Sequence, residues 1–280
     1  MNLTLAHLTI SATPLETVSA AADAGFPAVG IRICARRPGD TFAAPLIGNR
    51  SAVKTLKQRA VDGGVRLSNV SAYQFYPDVE WEQVAPVVDT TAELGIPIIV
   101  ANGFQPDEAK FSDLFARYCD AAARNNIRVA LEFLPYSAVR NLAAALRVIE
   151  RSGAPNAGVL LDALHLDRSG SVPADIGSID PRRIIFAQLC DAMKLTKPMS
   201  DEQLLQEARS ARLPAGKGEL PLYDFLDALP DGLEIEYEVA RLDLADRPPL
   251  EKALAARSDA ERFMAGYRSR RPAVAVQVPN

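Results

Sequence analysis

The feature that most constrains this chain is an alternation: short β-branched or apolar runs recur between longer amphipathic stretches along nearly its whole length. The short runs begin near Leu3 (LTLAHLTI), Ala28 (AVGIRI), Arg66 (RLSNVSAY), Pro97 (PIIVAN), Arg128 (RVALEFL), Gly158 (GVLLDA), Ile184 (IIFAQLC) and Leu233 (LEIEYEVA), eight in all. Between them the pattern predicts helices over 14–24, 49–63, 81–94, 107–125, 139–151, 220–228 and 250–267, with a short or irregular piece at 174–179. Thr13-Pro14 sets a capping hydroxyl before a proline at the first helical position. Gly25, Gly64, Gly95 and Gly153 each follow a helical stretch, where a left-handed residue usually ends the helix. Strands alternating with helices of this length form parallel β-α units. Eight such units in 280 residues, with no linker between them, predict an α/β fold: a single (β/α)8 barrel over residues 1–270. Residues 271–280, rich in Pro and Val, read as a flexible C-terminal tail. A doubly wound open sheet is the competing architecture, but no G-x-G-x-x-G follows the first strand, which weakens its dinucleotide-binding form.

Composition narrows the partners. Lys and Arg number 31 against 35 Asp and Glu, a net charge of −4, which argues against a polyanion-binding surface. No apolar run approaches the roughly 18 residues of a membrane span. The opening residues lack the basic region of a signal peptide. The three cysteines, Cys34, Cys119 and Cys190, are odd in number, far apart and without a C-x-x-C pair, which fits a reducing compartment. The expectation is a cytoplasmic protein with a small-molecule partner, no nucleic acid and no membrane, with a homo-oligomer left open.

In such a barrel the chemistry sits at the C-terminal ends of the strands. Four consecutive strands end in oxygen-bearing side chains: Glu132 after Ala130-Leu131, Asp162 after Leu160-Leu161, Gln188 within Ala187-Gln188-Leu189, and Glu234, Glu236 and Glu238 along the eighth. Period-two alternation turns Glu132 away from Leu131 and Phe133, and Asp162 away from Leu161, toward the barrel mouth. Carboxylates gathered there repel one another and are costly to bury unless a cation joins them. Oxygen-dominated ligation favours Mn2+ or Mg2+, with Co2+ or Zn2+ also able to bind. Glu238 is nearest the strand's end and is preferred to Glu236. Asn102 and Tyr73 end other strands and are expected to contact substrate, with Arg32 and Phe104 shaping the pocket. Loops 74–80 and 191–218 are candidate substrate loops, the second long enough for a lid.

The segments Leu131-Glu132-Phe133-Leu134-Pro135 and Leu160-Leu161-Asp162-Ala163-Leu164-His165 resemble the xylose-isomerase-like TIM barrel superfamily, which also contains sugar phosphate isomerase/epimerase-type enzymes and the AP endonuclease family 2 fold. Ala187-Gln188-Leu189-Cys190-Asp191 and the run from Leu213 through Gly216-Lys217-Gly218 to Leu222 are similar to its later landmarks. The resemblance implies a divalent metal held by Glu132, Asp162, Gln188 and Glu238, with Gln188 standing where many relatives carry His. It also implies substrate contacts from His165 and from Arg212, with Lys217 nearby. The expected activity is isomerisation or epimerisation of a carbohydrate or related keto-polyol, through proton abstraction beside a carbonyl and a metal-stabilised enediolate. Glu132 and Glu238 would exchange the proton, and His165 would serve a substrate oxygen. The alternative is a dehydratase, in which a β-oxygen leaves a keto-sugar, keto-inositol or 3-dehydroshikimate-like substrate. A repair nuclease would need more than two histidines and a basic face.

Overall fold

A computed structural model describes residues 3–37 and 39–270, so the tail expected at 271–280 lies outside the described residues. Eight strands close into one barrel in chain order, every pair parallel and the eighth joined to the first. They are β1 (Leu3–Leu5), β2 (Ala28–Ile31), β3 (Arg66–Phe75), β4 (Ile98–Gly103), β5 (Arg128–Glu132), β6 (Ala157–Asp162), β7 (Ile184–Leu189) and β8 (Ile235–Tyr237). The α-helices are α1 (His7–Ile10), α2 (Pro14–Asp23), α3 (Arg50–Asp62), α4 (Trp81–Leu94), α5 (Glu108–Ala123), α6 (Leu142–Ser152), α7 (Ala163–Arg168), α8 (Asp201–Ser210), α9 (Leu222–Ala228) and α10 (Pro249–Arg270). No helix among the described residues is long and apolar enough to cross a membrane.

Local chemistry ends these elements where the sequence suggests. Thr13 caps α2, accepting from the Glu16 amide while the Glu16 carboxylate accepts from Thr13. Gly95 and Gly153 close α4 and α6 with left-handed φ of 72° and 63°. The larger core lies between the strands and the helical ring, while Ala72, Ile98, Val100, Ala130, Leu160, Ile185 and Phe186 fill the barrel's inside.

The three glutamates of β8 and its flanks form a ladder up the barrel axis. Glu234 closes the lower end against Thr4, Ser68 and Arg66. Glu236 sits in the middle, accepting from Asn69 Nδ2 at 2.8 Å and Gln188 Nε2 at 2.7 Å. Glu238 reaches the mouth. Gly30 makes the middle rung possible, because a Cβ there would collide with Glu236 Oε1 and the Asn69 amide.

Three helices, α1, α7 and α8, differ from the sequence expectation; α7 winds directly after β6, where only an irregular piece further on is expected. The run LTLAHLTI is half strand and half helix: β1 stops at Leu5 and His7–Ile10 wind into α1. Thr9 holds that turn on β8, donating to Tyr237 O at 3.1 Å and accepting from Val239 N at 2.9 Å. A short apolar run reads the same as strand or helix by periodicity, and here the contact with β8 decides. The expected lid loop contains α8, whose signature was present in the Ser200-x-x-Gln203 capping box.

Candidate active site

The C-terminal ends of the strands surround a cavity lined in part by His7, Arg32, Arg36, Asn102, Glu132, Tyr136, His165, Gln188, Arg209, Arg212 and Glu238. Its floor is built by β5 and β6. Glu132 is the last residue of β5, and Asn102, paired with it across from β4, donates from Nδ2 to its Oε2 at 2.8 Å and its carbonyl at 3.3 Å. That grip turns the other carboxylate oxygen toward His165, whose Nε2 lies 3.9 Å from Glu132 Oε1. Tyr136 stands edge-on to the His165 ring at 5.8 Å.

Asp162 ends β6 and serves two purposes. Its Oδ1 caps α7, accepting from the backbone amides of Leu164 at 2.8 Å and His165 at 3.0 Å. Its Oδ2 accepts from Arg212 Nη1 at 2.6 Å. Arg212 also reaches Glu238 Oε2 from Nη2 at 3.0 Å and Ala208 O from Nε at 2.8 Å. Asp162, Arg212 and Glu238 thus form a buried ion triad, three side chains almost wholly withdrawn from solvent.

Burial shifts the titrations in opposite directions. Glu132 is pushed up to about 8 by burial, then by the neighbouring charges of Glu238 and Asp162. Burial also works against ionised Asp162, but Arg212, His165 and the backbone amides outweigh it and hold its carboxyl below the usual value. Burial drives the His165 imidazole down to about 4, against the pull of Asp162, so it is neutral near pH 7 and has a nitrogen lone pair to offer. Glu238 is raised by burial, with Arg212 opposing.

The sequence-predicted residues separate into those the fold brings together and those it does not. Glu132, Asp162 and His165 each offer a ligand atom, and these atoms lie within 4.8 Å of one another. Ligand bonds of about 2.0–2.6 Å place the donors around one ion at about that separation, so this set fits a divalent cation. His165, expected to serve substrate, therefore stands among the possible ligands. Gln188 lines the same cavity, and its buried Oε1 has no partner among the described residues while its Nε2 is taken by Glu236. Glu238 stands outside the cluster of three, on Arg212. Asn102 holds Glu132, and Arg212 is already engaged by two carboxylates. Tyr73 turns to the outer core, edge-on to Phe75 at 5.7 Å, and does not line the cavity. Lys217 is exposed and also stands apart from it. Arg36, Arg209 and Tyr136 were missed; each sits in a loop or the unforeseen α8, where strand alternation gives no sign of direction.

Residues 18–260 match the family model described as xylose isomerase-like TIM barrel. A 3-dehydroshikimate dehydratase of Pseudomonas putida is 23% identical over 239 residues, covering 81% of this chain and 35% of that protein. An inosose isomerase of Halalkalibacterium halodurans is 27% identical over 115 residues, 38% of this chain and 41% of that protein. The chain thus spans between a third and a half of the length of these curated relatives. Among solved structures, an IolI protein with a bound zinc atom superposes with a TM-score of 0.77 at 17% identity, covering 95% of this chain and 99% of that one.

Proposed function

The chain belongs to the xylose isomerase-like TIM barrel family, and on that premise we propose that it is a divalent-metal-dependent isomerase or epimerase of a small keto-polyol. The observation that carries this reading is the cluster of Glu132, Asp162 and His165, whose donor atoms lie within 4.8 Å of one another, Glu132 and His165 lining the cavity and Asp162 buried beside them. Gln188, with its unpartnered oxygen, is a candidate fourth ligand. The oxygen donors favour Mn2+ or Mg2+, and the imidazole nitrogen keeps Co2+ and Zn2+ in play. A bound cation would polarise a substrate carbonyl and so acidify the neighbouring C–H.

The chain's own groups divide the rest. Asn102 fixes Glu132 for proton removal from carbon. Arg212 pairs with Glu238 at the cavity wall at 3.0 Å and opposes the rise that burial gives its carboxyl, so that Glu238 stands ready to take or return the proton from the other side. Neutral His165 can hydrogen-bond a substrate hydroxyl or complete the cation's ligands. If a β-oxygen leaves instead of the proton returning, the same groups carry out dehydration. Similarity over 81% of the chain to a 3-dehydroshikimate dehydratase favours this as the second reading.

Incubation with a panel of keto-sugars, keto-cyclitols and hydroxylated keto acids in heavy water with Mn2+ tests both. Deuterium should enter carbon beside the carbonyl, and the product then separates isomerisation from elimination. No exchange with any member, or undiminished exchange after chelation, overturns the proposal.

A further inference from the structure

Three arginines line the cavity without a carboxylate partner within ion-pair distance among the described residues. Arg32 follows β2 and is buried, its Nε donating to His7 Nε2 at 3.1 Å and its Nη1 to Ala72 O at 3.0 Å. Neither acceptor is charged, because burial and the neighbouring Arg32 and Arg36 keep the His7 imidazole neutral. Arg36 lies on the same loop, which is tied to the end of β3 by Gln74 N donating to Arg36 O at 2.8 Å. Arg209 comes in from α8 on the far loop. The fourth cavity arginine, Arg212, is spent on Asp162 and Glu238.

An uncompensated buried guanidinium is costly, and the cost shows at Arg32, whose pKa is drawn down to about 9 by burial and then by Arg36. A ligand anion removes that cost. The planar fork of arginine matches a carboxylate in two hydrogen bonds. Glu238 already acts electrostatically on both Arg32 and Arg36, which favours a singly charged guest over a doubly charged one.

We propose that Arg32, Arg36 and Arg209 form a carboxylate subsite, so that the substrate is a hydroxylated keto acid held with its anion on these arginines and its carbonyl toward Glu132. This deepens the function proposed above and rests on Glu132 being the site of chemistry.

The test is calorimetric binding to chelator-dialysed protein, with no turnover required. The probes are 3-hydroxycyclohexanecarboxylate, its neutral counterpart 3-(hydroxymethyl)cyclohexanol, and inorganic phosphate. The carboxylate should bind at least tenfold more tightly than the alcohol and than phosphate. Arg36→Gln with Arg209→Gln, both on accessible positions, should reduce it to the alcohol's affinity, while Arg36→Lys alone should keep most of the difference. Equal binding of acid and alcohol, no binding of the acid, tighter binding of phosphate, or an unchanged acid affinity in the double variant overturns the subsite. The heavy-water experiment fails separately: arginine-dependent acid binding without any exchange removes the proposed chemistry and leaves the subsite standing. Exchange on neutral keto-sugars with equal probe binding does the reverse.

Discussion

Arg212 holds two buried carboxylates apart, and its replacement tests how much the triad contributes. Arg212→Met should destabilise the cation-free protein by roughly 3–5 kcal/mol, since Asp162 and Glu238 lose their counter-charge. Calorimetric melting checks this, and Mn2+ should then recover more stability in the variant than in the parent. A variant as stable as the parent would mean that the triad is not formed. Glu132→Gln and Glu238→Gln keep an oxygen but cannot take a proton, so turnover should fall about 10²–10⁴-fold. Metal content after dialysis should fall only in part for Glu132→Gln, whose amide oxygen still ligates, and more for Asp162→Ala and His165→Ala. A His165→Ala protein that retains full metal would return the imidazole to a purely substrate-facing role. These residues were legible because each carboxylate stands at a strand end among apolar neighbours, a position where burial demands a purpose. The partners were not legible. That Arg212 would meet Asp162 and Glu238, or that Asn69 and Gln188 would share Glu236, depends on cross-barrel neighbours that no one-dimensional spacing reports.

Strands and most helices followed from periodicity and caps, while α1 and α7 did not, because each is too short to show a period, and α8 lay inside a long polar stretch where only its capping box marked it. The loop after β7 illustrates what an element needs beyond its pattern. Asp191 accepts from the backbone amides of Ala192, Gly216, Gly218 and Leu220 at 2.9–3.1 Å, binding two distant stretches into one wall. Gly218 is required there, since a Cβ would strike Ala192 O and the Asp191 carboxylate. Asp191→Ala leaves those amides without their acceptor and should cost roughly 2–4 kcal/mol. Hydrogen exchange provides the local measurement: Gly216, Gly218 and Leu220 should lose protection well before the barrel strands. Uniform protection across both would show that the wall does not depend on this carboxylate.

For the molecule as a whole, the buried glutamates set the pH response. Glu132 and Glu236 both carry pKa values raised from 4.5 to about 8, chiefly by burial. The fold therefore favours their protonated forms, so this contribution is fully present below about pH 4.5 and is lost as pH rises through about 8. The melting temperature of chelator-treated protein should fall across that window, and Glu236→Gln should flatten part of the decline. Mn2+, which binds ionised carboxylates, should offset it. A melting temperature that rises from pH 5 to 8 without metal would contradict these protonation states. The ring itself carries a different consequence. β1 bonds to β8, and the Thr4 hydroxyl meets Glu234 across 230 residues of sequence. On the ribosome, β1 must wait for the residues up to β8 to be made before its partner exists. Until then the growing sheet has two open edges, at β1 and at the newest strand, each able to recruit a foreign strand. Synthesis speed over the barrel's last strands, and chaperones able to cover those edges, should govern the yield of folded barrel more than its final stability does.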